Sequence, residues 1–300
     1  MTVTTAMIKE LREATGAGIL DCKKALQANA GDFDKAAECL RKEGLDSVAQ
    51  KAEHEIKDGL VIVKVAGDVT CAVELGCETD FVARTAGFKT LAHRLVDQVL
   101  ADASLTDTEK VLAAGFIDAP GKTVADVVHE LISKVGENIA IRGVARYTLD
   151  RPGIVEGYVH AGAVDGYGPL EGRVGVLVEL GVDDAAIADS EVCRELAHDL
   201  ALQIAALNPS CVARESIPED VLREKRSALV AQLEGVDKPD RIKAKIVAGR
   251  LDKFYHEACL LEQPYIKDDE LSVEAWLQQK CKELDAPVRI NRFARFEVGA

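Results

Sequence analysis

No apolar run in this 300-residue sequence approaches the roughly 18 residues that a membrane-spanning helix needs, so no membrane partner is expected. The opening residues, Met1 to Ala6, lack a basic segment followed by an apolar stretch and are not rich in arginine. Neither a secretory signal nor a transit peptide is read there. The eight cysteines, at 22, 39, 71, 77, 193, 211, 259 and 281, form no Cys-x-x-Cys pair. That spacing disfavours metal ligation, and a disulfide framework is not expected in a chain this long without a signal. They read as mostly buried thiols in a reducing cytoplasm. Basic charge is also short: 37 Lys and Arg against 51 Asp and Glu leave −14, with no localised basic stripe. Phosphates would repel such a surface, so charge favours a protein or small-molecule partner over nucleic acid.

The motifs of several enzyme classes are missing as well. Pro120-Gly121-Lys122-Thr123 imitates the end of a phosphate-binding loop, but Phe116 stands where the loop needs glycine and no strand precedes it. His129-Glu130 and His256-Glu257 lack the second histidine of a zinc-hydrolase helix. There is no Gly-x-Ser-x-Gly elbow, and no cysteine sits in an evident basic environment that would make it a nucleophile. No catalytic residue, metal or cofactor is assigned, and the chain is not expected to be an enzyme.

What is present is a change of period along the chain. Up to about residue 50 the pattern is helical: Thr4 or Thr5 caps a first helix, Thr15-Gly16-Ala17-Gly18 breaks it, Gly31-Asp32 separates a second from a third, and Gly44 ends the third. Three short helices over residues 1–50 suggest a small bundle similar to the ubiquitin-associated fold. A polar tether, Gln50 to Asp58, follows. Residues 56–150 then read as a first core repeat. In it, Leu60-Val61-Ile62-Val63 and Cys71-Ala72-Val73-Glu74-Leu75 flank the turn Ala66-Gly67-Asp68. Helical stretches at 88–100 and 124–135 and a closing strand from Ile139 complete it.

Residues 151–300 repeat this plan. Val73-Glu74-Leu75-Gly76 and Leu91-Ala92-His93 recur 105 residues later, at Val178-Glu179-Leu180-Gly181 and Leu196-Ala197-His198. The closing segments Val144-Ala145-Arg146-Tyr147 and Phe293-Ala294-Arg295-Phe296 are 149 apart, so the second copy holds 44 additional residues. They fall on the charge-rich helical pattern from about 218 to 261, interrupted at Gly235–Pro239, which reads as an antiparallel helical hairpin. The fold class is therefore α+β, with antiparallel sheets and packed helices in a duplicated core.

Three stretches give the sequence its family resemblance. They are Thr15-Gly16-Ala17-Gly18-Ile19-Leu20-Asp21-Cys22-Lys23-Lys24-Ala25-Leu26, then Glu78-Thr79-Asp80-Phe81-Val82-Ala83-Arg84, then Gly136-Glu137-Asn138-Ile139. In this order they resemble the elongation factor Ts family over nearly the whole chain. The resemblance implies a guanine-nucleotide exchange factor for the GTPase elongation factor Tu, and allows an assembly of two copies with two GTPases. The GTPase contacts it implies are Thr79, Asp80, Phe81 and Val82 first, then Ile19, Leu20, Val135, Gly136 and His160. Family members can carry a further C-terminal helical module; the sequence closes at Phe296–Ala300, so no contacts of that kind are expected. Asp80 is expected to cap a following helix and hold Phe81 outward. The repeat supports a special role for Phe81, because Ala186 stands 105 residues later where a shared core would demand a bulky residue. A ubiquitin-like-binding adaptor, suggested only by the bundle, would leave Phe81 and the duplication unexplained.

Overall fold

In the computed structural model, which describes residues 3–160, 171–236 and 238–300 (within 43–50 the backbone only), the chain begins with three helices. Thr4 caps α1 (Thr5–Thr15) by accepting the Met7 N–H, and Gly16 ends it in the left-handed region at φ 72°. Then come α2 (Ile19–Ala28) and α3 (Phe33–Lys51). Leu11, Cys22, Ala25, Leu26, Ala36 and Leu40 fill the space between them. The sequence places a stop at Gly44, but α3 runs through it to Lys51. One interior glycine costs a helix about 1 kcal/mol, and the helix formers around it, Lys42, Glu43 and Leu45, outweigh that. The tether shortens to 52–57.

Strands β1 (Asp58–Ala66) and β2 (Val69–Cys77) form a hairpin with Ala66 opposite Val69, so the turn is Gly67-Asp68. After β2 come the one-turn helix α4 (Asp80–Ala83), α5 (Ala86–Ala101), α6 (Thr108–Ala113), α7 (Val124–Val135) and β3 (Ile139–Thr148). The second half gives β4 (Gly153–His160), β5 (Glu171–Gly172), β6 (Val174–Val182), α8 (Ala185–Ala188) and α9 (Glu191–Leu207). The inserted hairpin is α10 (Glu219–Ala231) and α11 (Asp240–Ala258), after which β7 (Pro264–Tyr265), β8 (Asp268–Ser272), α12 (Val273–Glu283) and β9 (Val288–Glu297) close the chain. Asp237, within the expected interruption at Gly235–Pro239, lies outside the described residues.

Two large sheets result, ordered β3-β2-β1-β5 and β4-β6-β9, both antiparallel, with β7 and β8 forming a separate antiparallel pair. The large sheets pack face to face through Val63, Ala72, Ala145 and Tyr147 on one side and Leu177, Val155, Val159 and Phe296 on the other. Each sheet's other face is covered by its own helices. Strands buried on both faces need apolar residues throughout rather than alternation. This explains why Leu60 to Val63 and Val176 to Val178 read as continuous apolar runs. The side chains of β1 pack so closely on the β6 backbone that a Cβ on Gly175 would lie 2.3 Å from Val61 Cγ1. One element crosses between the halves: β5, from the second, adds to the edge of the first sheet beside β1.

The repeat is visible atom by atom. Both central strands carry a bulge at the same place, between Glu74 and Leu75 and between Glu179 and Leu180. Gln98 donates to the Gly115 carbonyl and accepts from the Ile117 N–H; Gln203 does the same with Pro264 and Ile266. Both glutamines are buried, where an unpaired amide would be costly, so each anchors the chain that follows its helix.

Candidate partner-binding site

The turn after β2 is held from two directions. Thr79 takes the N-cap position of α4 with extended backbone, but its side chain does not cap that helix. Its hydroxyl donates to Glu137 Oε1 at 2.6 Å and its N–H donates to Glu137 Oε2 at 3.0 Å. The preceding Glu78 accepts the Asn138 N–H at 2.6 Å and pairs with His54 Nδ1 at 2.9 Å. The Asn138 amide in turn donates to the His54 carbonyl at 3.0 Å. Burial pushes the Glu78 carboxyl up, but the bonds from Asn138 and His54 outweigh it and leave it below the ordinary carboxylate range. Cys77 Sγ adds a bond to the Thr79 carbonyl at 3.2 Å.

Gly136 makes the reciprocal geometry feasible. It ends α7 in the left-handed region at φ 84°, with its N–H donating to the Ile132 carbonyl. A residue with a Cβ is strained in that conformation. The reversal brings Glu137 and Asn138 back toward the turn, with the half-buried Val135 just before it. The Gly-Glu-Asn motif is thus the clamp on the Thr-Asp-Phe-Val motif.

Within the clamped turn, side chains divide sharply. Val82 and Ala83 are buried in the core of the first repeat. Phe81 projects outward, 80 % exposed, the most exposed large hydrophobic side chain among the described residues. Asp80 does not cap α4, contrary to the expectation from sequence. It is the first helical residue, one position too late to accept from that helix's opening N–H groups, and it pairs instead with Arg84 at 3.2 Å. The second repeat has the cap that the first lacks: Asp184, equivalent to Thr79, accepts the Ala186 N–H at 2.9 Å. Ala286 stands there in place of Glu137.

Thr79, Asp80, Phe81, Val82, Val135 and Gly136 therefore share one end of the first repeat. Ile19 and Leu20 lie elsewhere, on the N-terminal bundle. They open α2 directly after Gly18, with 56 % and 69 % of their surfaces exposed, while Cys22 and Leu26 fill the bundle. His160 is the last residue of β4, exposed, with Tyr158 Oη 3.1 Å from its Nδ1; Ala161 beyond it lies outside the described residues. Among the described residues no hydrogen bond joins Ile19, Leu20 or His160 to the Phe81 turn.

Glu78, Glu137 and His54 are structural partners of the site that reading the sequence did not assign. Glu78 and Glu137 stand inside two of the quoted motifs, which name residues without saying what they hold, and nothing in the sequence signalled His54. Among the described residues no group of three or more His, Cys, Asp or Glu side chains is placed to hold a metal ion. No described helix is long and apolar enough to cross a membrane. The site is thus a rigid apolar projection with clamped backbone, a geometry suited to insertion into a partner rather than to enclosing a ligand.

The family model described as elongation factor TS matches residues 78–300. An elongation factor Ts of Clostridium kluyveri is 40 % identical over 299 residues, covering 99 % of this chain and 93 % of the relative. One from Bdellovibrio bacteriovorus is 38 % identical and covers 100 % of this chain and 94 % of the relative, and one from Trichlorobacter lovleyi is 37 % identical with coverage of 100 % and 93 %. With a match of this extent, the chain belongs to the elongation factor Ts family of translation elongation factors.

Proposed function

We propose that this chain is a guanine-nucleotide exchange factor that binds elongation factor Tu carrying GDP and promotes GDP release, so that GTP can rebind, in the cytoplasm. The observation that supports this reading best is Phe81, 80 % exposed on a turn clamped by Glu137. An aromatic side chain offers about 150–250 Å² for burial, so inserting Phe81 between partner elements gains at most about 3–5 kcal/mol before the costs of association. The clamp means that little of this is lost to ordering the turn on binding.

Exchange needs no covalent step. A factor that prefers the nucleotide-free GTPase weakens nucleotide binding by the coupling factor with which nucleotide weakens its own. About 2.7 kcal/mol of coupling gives a hundredfold change in either affinity. The chain acts by differential binding and not as an enzyme in its own right. Ile19 and Leu20 provide a docking surface on the N-terminal bundle, Val135 and Gly136 flank the wedge, and His160 contacts the GTPase from the second sheet. The net charge of −14 directs the surface toward a protein partner rather than nucleic acid.

The test is release of fluorescent GDP from elongation factor Tu in a stopped-flow instrument. Saturating amounts of this chain should accelerate release at least tenfold without GTP hydrolysis of its own. A trace identical with and without the chain rejects the function. Light scattering with mass measurement distinguishes a one-to-one complex from one with two copies of each protein.

A further inference from the structure

Two of the eight cysteines meet where the helical hairpin leaves and rejoins the core. Cys211 precedes the hairpin and Cys259 follows it, with their sulfurs 3.6 Å apart across a separation of 48 residues. Their backbones form an isolated parallel bridge: the Cys211 N–H donates to the Ala258 carbonyl at 3.1 Å, and its carbonyl accepts the Leu260 N–H at 2.9 Å. Bridged strands lie about 4.8 Å apart, inside the roughly 4.4–6.8 Å Cα spacing that a disulfide spans. The sulfurs need only close by about 1.5 Å, which rotation about the side-chain bonds supplies. The other thiols with a described contact, Cys22, Cys71, Cys77 and Cys281, bond to backbone groups and, for Cys22, to the Thr15 hydroxyl, none to a second sulfur.

The pair has unequal access. Cys211 is half-buried, whereas Cys259 is fully buried behind it. Burial raises both thiols above their ordinary value, Cys259 to about 12, so neither is a ready thiolate at neutral pH. Oxidation therefore begins at Cys211, the thiol with access to solvent.

We propose that Cys211 and Cys259 form a reversible disulfide that clamps the base of the hairpin, with a small-molecule disulfide as oxidant. Cys211 gives up its proton, and its thiolate attacks one sulfur of the oxidant; the other sulfur leaves as a thiolate and takes up a proton. Cys259 then loses its proton and attacks the Cys211 sulfur, expelling the second thiolate, which is also protonated. Two protein thiols are oxidised, and one small disulfide is reduced to two thiols. The new bond joins the two ends of the inserted segment beside Arg214, which stacks on Tyr255 with its carbon 4.2 Å from the ring centre and pairs with Asp252 at 3.1 Å. Opening of the hairpin at its base is thereby suppressed.

The full chain is incubated with excess hydroxyethyl disulfide, alkylated and mapped without reduction, and hydrogen exchange is measured before and after. The expected result is one cross-link joining the Cys211 and Cys259 peptides, with exchange at residues 211–214 and 258–262 slowed by about tenfold; dithiothreitol reverses both. Cys211→Ala, at a half-buried position, should abolish the cross-link while keeping the fold. The proposal is overturned if the folded chain does not react. It is equally overturned by a lasting mixed disulfide on Cys211, by pairing elsewhere, by a cross-link appearing only in urea, or by one that leaves exchange unchanged.

Discussion

Replacing Glu137 by alanine removes both oxygens that hold Thr79, the acceptors at 2.6 and 3.0 Å. Two charge-assisted hydrogen bonds are worth about 1.5–3 kcal/mol each when shielded. Glu137 is only partly buried, so water replaces much of each, and about 1–3 kcal/mol in total is the expected loss. The loss is local, because Val82 and Ala83 still anchor the turn in the core. The melting temperature should therefore fall by only a few degrees. The amides of Ala83 and Arg84, bonded to the Thr79 and Asp80 carbonyls, should lose about tenfold or more of their hydrogen-exchange protection, and GDP release should slow about five- to thirtyfold as the wedge loses its preset orientation. The second repeat suggests a rescue. Asp184 caps α8 there, opposite Ala286, so Thr79→Asp combined with Glu137→Ala should rebuild a cap and restore protection. If Glu137→Ala leaves both protection and exchange activity unchanged, the clamp has no role and the account of the site fails.

Three further outcomes follow from particular contacts. Ile19→Ala with Leu20→Ala, at positions outside the bundle core, should change stability by less than about 0.5 kcal/mol each yet weaken GTPase binding about tenfold in calorimetry; unchanged affinity removes them from the interface. Gly175→Ala places a methyl group 2.3 Å from Val61 Cγ1 and should cost about 1–3 kcal/mol by overpacking the sheet interface, read as a shifted denaturation midpoint. Glu78, held below the ordinary carboxylate range chiefly by its Asn138 and His54 bonds against the effect of burial, stabilises the turn above its unfolded-state pKa and loses that contribution as pH falls through its lower folded value. Hydrogen exchange at Asn138 should accordingly rise, relative to other amides, in that acid window, and Glu78→Gln should remove the pH dependence.

The duplicated core was legible because equivalent positions in it face the same demand. Val73 to Gly76 and Val178 to Gly181 fill the central strand of each sheet and carry the same bulge, so burial preserved a similarity that the surface lost. The hairpin was legible as the segment that only one copy contains. Reading failed where the outcome depended on contacts distant in sequence. Asp80 has the right chemistry for a cap but sits one residue inside α4, while Thr79 is held by Glu137, 58 residues away. Gly44 carries a helix-ending signal that the surrounding helix formers override. Strand β5 has only two residues and borrows its stability from β1, and β8 is polar and exposed, so neither leaves an apolar pattern. Phe81 stood out in the sequence because Ala186 occupies the equivalent place, and the structure puts it outside the core.

Phe81→Ala, measured for stability and for GDP release on one preparation, tests the central claim most directly. A core phenylalanine would cost about 3–5 kcal/mol on truncation. At 80 % exposure the stability change should stay below about 1 kcal/mol. Loss of an interface anchor should nevertheless remove about 2 kcal/mol of coupling, some thirtyfold in exchange efficiency. The account predicts an unmoved denaturation curve beside a collapsed rate of GDP release from elongation factor Tu. A large loss of stability with full exchange activity per folded molecule would contradict it.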